Sequence, residues 1–325
     1  MTDFIKDIKR IRNRHYAADI LVQNEGPLFV VFDSMVTAGP LDDRRAWAFD
    51  FCARRGLNVI GLMESDPYAW YRRPAFLEVL EAARREVAPR NFSRRIGYGG
   101  SMGGYAAGAF SAEFGCDTCI LFNPISTFNR RLAPFETRYD QGARQDWTTG
   151  AFDAARAAAS IQTVYIVADP LFDLDAEHVR RFQAESAAAQ LFRIPGVGHR
   201  VAEHMKNMDM LRWFIDSVID GPGPDAGTFS ALARRRRGYL GYYQWLLSRE
   251  NTHLSERAVQ TISLHLALFL AQSGRGKYDS MRTFALATRD LLPKINMRLL
   301  PAVLEKLPDS PRAIELMRSL ENGKF

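Results

Sequence analysis

Short apolar runs alternate with segments of helical periodicity over the first 220 residues. The apolar runs are rich in β-branched and aromatic residues and cover 28–32, 58–62, 95–98, 118–122, 163–167 and 190–194. Helical segments lie between them at 44–54, 74–87, 102–114 and 176–188. Continuous apolar strands joined by crossover helices are typical of a mostly parallel, doubly wound sheet. The pattern therefore predicts an α/β domain over 1–220, with a possible antiparallel edge strand at 16–23.

The pattern changes at 221–228, where the sequence reads GPGPDAGT. Two Gly-Pro pairs interrupt regular structure and predict a linker. From residue 229 to 325 the periodicity is helical only, with segments at 240–248, 255–273, 280–291, 297–306 and 311–321. The expected organisation is an α/β domain, this linker, and a small all-helical C-terminal domain over 229–325.

Composition narrows the class of protein. The chain has 325 residues, of which 47% are hydrophobic and 25% charged, and these values exclude a disordered or disulfide-built protein. With only three cysteines, reduced thiols are expected. The N-terminus lacks the apolar core of a signal peptide, and the longest apolar stretch is too short to span a bilayer. We therefore expect a soluble, cytoplasmic protein without membrane insertion.

The positive charge is concentrated in the last third of the chain. The net charge is +6, and residues 221–325 carry 16 Lys and Arg against 9 Asp and Glu. This region has no zinc spacing, basic zipper or RNA-binding signature, so no nucleic-acid partner is expected. The Arg234–Arg237 run is interpreted as a solvated face. A homo-oligomer or a protein partner bound through the helical domain is the alternative interpretation of this charge.

The most informative motif is GYGGSMGGY at 97–105, which contains G-x-S-x-G around Ser101. The serine follows a predicted strand and precedes a helix of small residues, the strand–turn–helix context of a nucleophilic serine. A glycine-rich phosphate loop is the alternative. The dinucleotide fingerprint fails at Met102, and no Walker A pattern occurs in the sequence. The motif therefore predicts that Ser101 is a nucleophile.

With this motif the chain resembles the α/β-hydrolase superfamily over residues 15–220. The resemblance implies a catalytic triad in the order Ser, then Asp or Glu, then His, each on a loop after a strand. It also implies an oxyanion hole of two backbone N–H groups. One would come from Met102, and the other from Ser34 or Met35 in the loop after the early strand. Asp33 in that loop departs from the Gly-rich superfamily pattern and is interpreted as a turn former.

His199 is the predicted general base. It follows the last predicted strand in a loop with glycines at 196 and 198. A serine hydroxyl is a weak nucleophile and needs a base that is partly neutral near pH 7, which suits a histidine. His178 and His204 lie within predicted helices and are weaker candidates.

Asp169 is the predicted acid because it directly follows the 163–167 strand in the sequence D-P-L-F-D-L-D. Asp173 in the same loop is the alternative acid. Asp175 is interpreted as the N-cap of the following helix.

Aromatic residues and arginines in two loops are candidates for substrate binding: Trp70, Tyr71, Arg72 and Phe128. Aromatic rings beside guanidinium groups can stack on a sugar or hold an anion. The alternative is that the rings pack against the insertion at 123–150. The segments FNPIS, PFETR and WYR are similar to hydrolase-like proteins of bacterial surface-polysaccharide loci.

These observations predict a serine hydrolase, most simply an esterase or deacylase of a small or carbohydrate-linked acyl ester. An acyltransferase with the same triad, or a non-catalytic hydrolase-like binding protein, are the alternatives. No metal or organic cofactor is expected. Cys116 and Cys119 form a C-x-x-C at the start of a strand and are interpreted as buried core thiols.

Overall fold

A single sheet of eight strands organises the protein, seen here in a computed structural model that describes residues 7–238, 242 and 246. The strands are β1 (Lys9–Arg12), β2 (Tyr16–Leu21), β3 (Leu28–Phe32), β4 (Asn58–Glu64), β5 (Arg95–Gly100), β6 (Thr118–Phe122), β7 (Thr163–Ala168) and β8 (Ala189–Arg193). Their order across the sheet is β1-β2-β4-β3-β5-β6-β7-β8. The first two strands pair antiparallel, and β3 to β8 run parallel. This confirms the predicted α/β fold of the hydrolase type.

The burial of the strands explains why the apolar runs predicted them. Every residue of β2, β3, β4 and β6 is buried, because helices cover both faces of the sheet. The antiparallel strand expected at 16–23 is present as β2. The edge strand β1 was not predicted, because its sequence KRIR is almost entirely basic. Arg10 on β1 pairs instead with the buried Asp19 opposite it on β2.

The helices mostly follow the predicted segments. They are α1 (Phe49–Arg54), α2 (Ala75–Val87), α3 (Met102–Phe110), α4 (Asp140–Ala143), α5 (Ala154–Ala158), α6 (Asp173–Glu185), α7 (Val201–Asn207), α8 (Leu211–Asp220) and α9 (Ala226–Ala233). A short 3₁₀ turn, Ser111–Phe114, continues α3. Several boundaries differ from prediction: α1 starts five residues later than expected, α6 starts and ends three residues earlier, and α3 ends at Phe110, where the 3₁₀ turn begins.

The segment predicted as a linker is more ordered than its glycines and prolines suggested. The chain divides into two compact units, Met1–Ser230 and Ala231–Phe325. Helix α9 begins within 221–228, and Phe229 is buried against Phe192 and Phe214. Aromatic packing by this segment therefore places it within the first unit. The predicted helices from residue 255 onward lie outside the described residues.

The cysteines behave as core side chains. All three are free and buried, and the burial of Cys116 and Cys119 was predicted. Burial raises the pKa of the Cys119 thiol to about 12, so it is not a reactive thiolate at neutral pH. In the described part of the chain, no helix is long and apolar enough to cross a membrane.

Candidate active site

Ser101 occupies a strained turn between β5 and α3. Its backbone angles are φ 56° and ψ −117°, a conformation that is costly for a residue with a Cβ. The glycines around it allow the turn to close. A Cβ on Gly99 would lie 2.0 Å from the carbonyl oxygen of Gly103, and a Cβ on Gly103 would lie 2.6 Å from that of Phe32. The motif therefore forms the elbow that its sequence predicted, with the hydroxyl projecting at the carboxyl end of the sheet.

His199 reaches Ser101 from the loop after β8. Its Nε2 lies 2.7 Å from the Ser101 Oγ. Gly196 and Gly198 have positive φ angles of 79° and 61°, which allow the sharp loop that brings the imidazole over the elbow. Two sequence-predicted residues, 98 positions apart, are thus within hydrogen-bonding distance.

The carboxylate beside His199 belongs to Asp175, and neither Asp169 nor Asp173 contacts the imidazole. The Asp175 Oδ2 lies 2.6 Å from His199 Nδ1, and Asp175 is fully buried in the first turn of α6. The N-cap of α6 is Phe172, so the interpretation of Asp175 as a helix cap was wrong. Asp173, the alternative acid, is exposed on the opposite side of the turn.

Asp169 has a different set of partners. Its carboxylate accepts hydrogen bonds from the backbone N–H groups of Gly196 at 2.9 Å, Gly198 at 2.6 Å and Leu171 at 2.9 Å. Burial raises the pKa of Asp169, and these N–H groups oppose that effect. Asp169 therefore fixes the loop that carries His199, while Asp175 contacts the imidazole itself.

The loop after β3 lies against the elbow. Gly103 packs against the carbonyl oxygens of Phe32 and Asp33, so the first turn of α3 and this loop are adjacent. The N–H of Ser34 donates a hydrogen bond to Thr37 Oγ1 at 2.9 Å. The N–H of Met35 has no acceptor within the described part of the chain. Of the two predicted loop donors, Met35 is therefore the one with an uncommitted N–H, and Met102 lies at the N-terminus of α3, where backbone N–H groups lack intrahelical acceptors.

Asp33 stabilises the loop after β3, and this role explains why an aspartate replaces the Gly-rich superfamily pattern. Its buried carboxylate accepts hydrogen bonds from the N–H groups of Trp47 at 3.0 Å and Glu64 at 3.2 Å, and pairs with Arg44 at 2.6 Å. Burial raises the pKa of Asp33 against these interactions. The side chain thus holds both ends of the 34–47 loop, which also explains why α1 begins only at Phe49.

Three of the four residues predicted to bind substrate are buried in the core, and Arg72 is half-buried. Trp70, Tyr71 and Phe128 are buried, and the Trp70 and Phe128 ring centroids lie 4.6 Å apart within an aromatic cluster that includes Trp147. Arg72 donates to the backbone oxygen of Asp146 at 2.9 Å and lies over the Trp147 ring. These contacts are the packing against the insertion that the sequence left as the alternative.

Three residues near the imidazole were not predicted. Asn123, at the end of β6, places its Nδ2 3.2 Å from both ring nitrogens of His199. The rings of Tyr139 and Phe172 lie 6.4 and 6.2 Å from the imidazole centroid. Burial raises the pKa of Tyr139, and the positive charge of Arg138 opposes this effect. Asn123 and Tyr139 both have positive φ angles, a signal that only coordinates provide.

In the described part of the chain, no group of three or more His, Cys, Asp or Glu side chains could hold a metal ion. Ser101, His199 and Asp175 form one continuous chain of contacts, and Met102 follows Ser101 as the first residue of α3. Such an arrangement can deprotonate a serine hydroxyl and stabilise an oxyanion.

Solved structures with a similar fold come from hydrolases and an acyltransferase. The capsule O-acetyltransferase of Neisseria meningitidis serogroup A aligns with 67% of this chain and 96% of its own at 11% identity and a TM-score of 0.48. The acylaminoacyl peptidase of Pyrococcus horikoshii aligns with 70% of this chain and 45% of its own at 10% identity and a TM-score of 0.48. A fluorophosphonate-binding serine hydrolase of Staphylococcus aureus aligns over 63% and 96% at 12% identity and a TM-score of 0.43. No protein-family model and no curated protein matches the sequence.

Proposed function

We propose that the protein is a serine hydrolase that cleaves acyl esters through a covalent acyl-enzyme on Ser101. The observation that carries this proposal is the unbroken contact chain from Ser101 Oγ to His199 Nε2, at 2.7 Å, and from His199 Nδ1 to Asp175 Oδ2, at 2.6 Å. The strained backbone of Ser101 is a second support, because such strain is concentrated at functional sites.

The tautomer of His199 follows from its partners. An ionised carboxylate can only accept a hydrogen bond, so the proton lies on Nδ1 and points to Asp175. Nε2 is then free to accept the Ser101 proton as Oγ attacks the acyl carbonyl. Asp175 orients the ring and stabilises the imidazolium cation that forms.

The oxyanion of the tetrahedral intermediate would be held by the N–H groups of Met102 and Met35. The first belongs to the N-terminus of α3, whose dipole also favours negative charge. The second lies in the loop that packs on Gly103. Collapse of the intermediate expels the alcohol, which takes its proton from His199 Nε2.

Hydrolysis needs water at the same imidazole for the second half of the reaction. The His199 side chain is 19% exposed, so solvent can reach it after the alcohol has left. Water loses a proton to Nε2 and attacks the acyl carbon, which releases the acid and restores Ser101. The rings suggested for stacking on a sugar are buried, so they give no support for a carbohydrate-linked substrate, and the substrate class proposed is an acyl ester.

Labelling with a fluorophosphonate probe tests this function. We expect stoichiometric labelling of the wild type, none of Ser101→Ala, and a loss of p-nitrophenyl acetate turnover of at least about 10³-fold in that variant. Ser160→Ala is the control, because Ser160 is an exposed serine whose hydroxyl donates only to the Ala157 carbonyl oxygen. Turnover by Ser101→Ala within tenfold of wild type would contradict the proposal.

A further inference from the structure

A half-buried arginine, Arg138, contacts the carboxylate that faces His199. Its Nη1 lies 2.9 Å from Asp175 Oδ1. The two groups form an ion pair, but their angles do not meet those of a hydrogen bond. The same Nη1 lies 3.5 Å from His199 Nδ1. Asp175 therefore uses one oxygen for the imidazole and presents the other to a guanidinium.

Arg138 also contacts the two rings beside His199. The guanidinium carbon lies 5.3 Å from the Tyr139 ring centroid and 5.4 Å from that of Phe172. Both rings lie within 6.4 Å of the imidazole centroid. One side chain thus contacts the carboxylate and both neighbouring rings of His199.

A second buried carboxylate, Glu136, binds the guanidinium of Arg138 through the nitrogens that do not face Asp175. Glu136 Oε2 lies 2.6 Å from Arg138 Nη2, and Arg138 Nε is 3.1 Å from Oε1. Burial raises the pKa of Glu136, but hydrogen bonds from His178 and Arg138 outweigh this and lower it to about 2. Glu136 is therefore ionised at neutral pH.

His178 fixes Glu136 in turn. The Ser126 N–H donates to His178 Nδ1 at 3.1 Å, so the ring proton lies on Nε2 and points to Glu136 Oε2 at 2.9 Å. Burial lowers the pKa of His178, which agrees with a neutral ring. The anchor of Arg138 is thus a fully buried network joining the insertion to α6.

The charges of Asp175, Arg138 and Glu136, here called the carboxylate–arginine cluster, determine whether a protonated His199 has a net counter-charge. Arg138 paired with Asp175 alone would be neutral and would leave no net counter-charge for a protonated His199. Glu136 adds a second negative charge, so the resting cluster carries a net charge of −1. The cluster then becomes neutral when His199 accepts the Ser101 proton.

We propose that Arg138 is a positioning residue that holds Asp175 for His199, and that Glu136 cancels the charge of Arg138 so that Asp175 remains an effective counter-ion. This inference rests on the proposed function. Nothing in it requires Arg138 to touch substrate, so substrate affinity should be independent of it.

The test compares Arg138→Met, Arg138→Lys and Glu136→Gln in kcat and KM for p-nitrophenyl acetate. We expect Arg138→Met to lower kcat about 10- to 100-fold with KM changed less than twofold, since small misplacements of catalytic groups have effects of this size. Arg138→Lys should recover part of the loss, because an ammonium keeps the charge but lacks the planar fork. Glu136→Gln should also lower kcat, and the double change Arg138→Met with Glu136→Gln should lose less than the product of the two single losses.

Arg10 offers a matched control. It is 22% exposed and pairs with the fully buried Asp19 at 2.6 Å, against 19% for Arg138 and a fully buried Asp175, but it lies on the edge strand β1. Arg10→Met should lower the melting temperature without lowering kcat. A proton NMR signal for His199 Nδ1–H should weaken or shift in Arg138→Met and remain in Arg10→Met.

Several outcomes would overturn the inference. These are a folded Arg138→Met with kcat within twofold of wild type, equal losses of kcat in Arg138→Met and Arg10→Met, or independent effects of the Arg138 and Glu136 changes. If Arg138→Met does not fold, Arg138→Lys and Glu136→Gln decide, and wild-type kcat in both overturns it. Failure of the proposed function is distinguishable, since it would appear as probe labelling of Ser101→Ala.

Discussion

At the scale of single residues, two buried aspartates six positions apart divide the work of supporting His199. Asp169 accepts hydrogen bonds from backbone N–H groups, two from the histidine loop and one from Leu171 in its own loop, whereas Asp175 contacts the imidazole. A loop carboxylate bound by three N–H groups has little capacity left to orient a ring. Asp169 therefore holds the histidine loop, and Asp175 orients the imidazole.

This division predicts a ranking of three variants. Asp175→Asn should lower kcat by about 10⁴-fold, because an amide can donate to His199 Nδ1 and favour the wrong tautomer. Asp169→Asn should cost about 10- to 100-fold, since it loosens the loop without changing the tautomer. Asp173→Asn, on an exposed side chain, should change kcat less than about twofold. Steady-state kinetics on p-nitrophenyl acetate give the ranking, and a larger loss in Asp169→Asn than in Asp175→Asn would return the acid to Asp169.

The sequence located Ser101 and His199 but not Asp175, and the reason is physical. The elbow is a local motif, and the histidine loop follows a strand with glycines on both sides. Asp175 becomes an inward-facing residue only if α6 starts at Asp173, since it then shares a face with His178, Val179 and Phe182. That spacing of three and four residues was visible in the sequence, but it was obscured by the assumption that Asp175 was the cap.

At the scale of elements, the site depends on how closely α3 follows β5. The turn is closed by main-chain contacts, with Gly99 against Gly103 and Gly103 against the end of β3. Close packing of backbone on backbone leaves no flexible side chain that could move aside. Small residues are therefore required in the elbow even where they do not touch a substrate.

Two adjacent glycines test this requirement. Gly99→Ala would place its Cβ 2.0 Å from a backbone oxygen, so we expect a loss of about 3 kcal/mol or more in the free energy of unfolding and loss of probe labelling. In Gly100→Ala the new Cβ would meet the Phe122 Cβ at an ordinary 3.6 Å, and stability should stay within about 1 kcal/mol of wild type. Urea denaturation and labelling measure both. Equal tolerance of the two changes would show that the elbow can relax.

Strands and helices were predictable where burial of apolar residues determines the structure. They were missed where ion pairs determine it. The six apolar runs and β2 were expected because every buried strand needs apolar residues on both faces. The basic β1 and the late start of α1 depend on Asp19 and Asp33, which pair with Arg10 and Arg44 across 9 and 11 residues of sequence. No local pattern indicates such pairs.

At the scale of the whole molecule, the strand order explains why residues so far apart meet. β5 lies between β3 and β6, so the loops after these three strands open at one edge, beside those after β7 and β8. Each contributes one part: Met35, Ser101, Asn123, Asp175 through α6, and His199. The insertion after β6 adds Arg138, whose position no sequence rule indicates.

The boundary of the first unit gives the last prediction. Phe229 of α9 is 2% exposed and lies 4.9 Å from the ring of Phe192 and 5.8 Å from that of Phe214. A chain ending at Gly221 would lose this ring and expose the other two, so we expect it to aggregate or to melt at a lower temperature. A chain ending at Gly238 retains α9 and should stay folded and label at Ser101 with the probe. Phe229→Ala in the full chain should cost about 3–5 kcal/mol in the free energy of unfolding while keeping kcat. Thermal melts and probe labelling compare the three, and a folded chain ending at Gly238 that no longer labels would show that residues beyond 238 complete the active site.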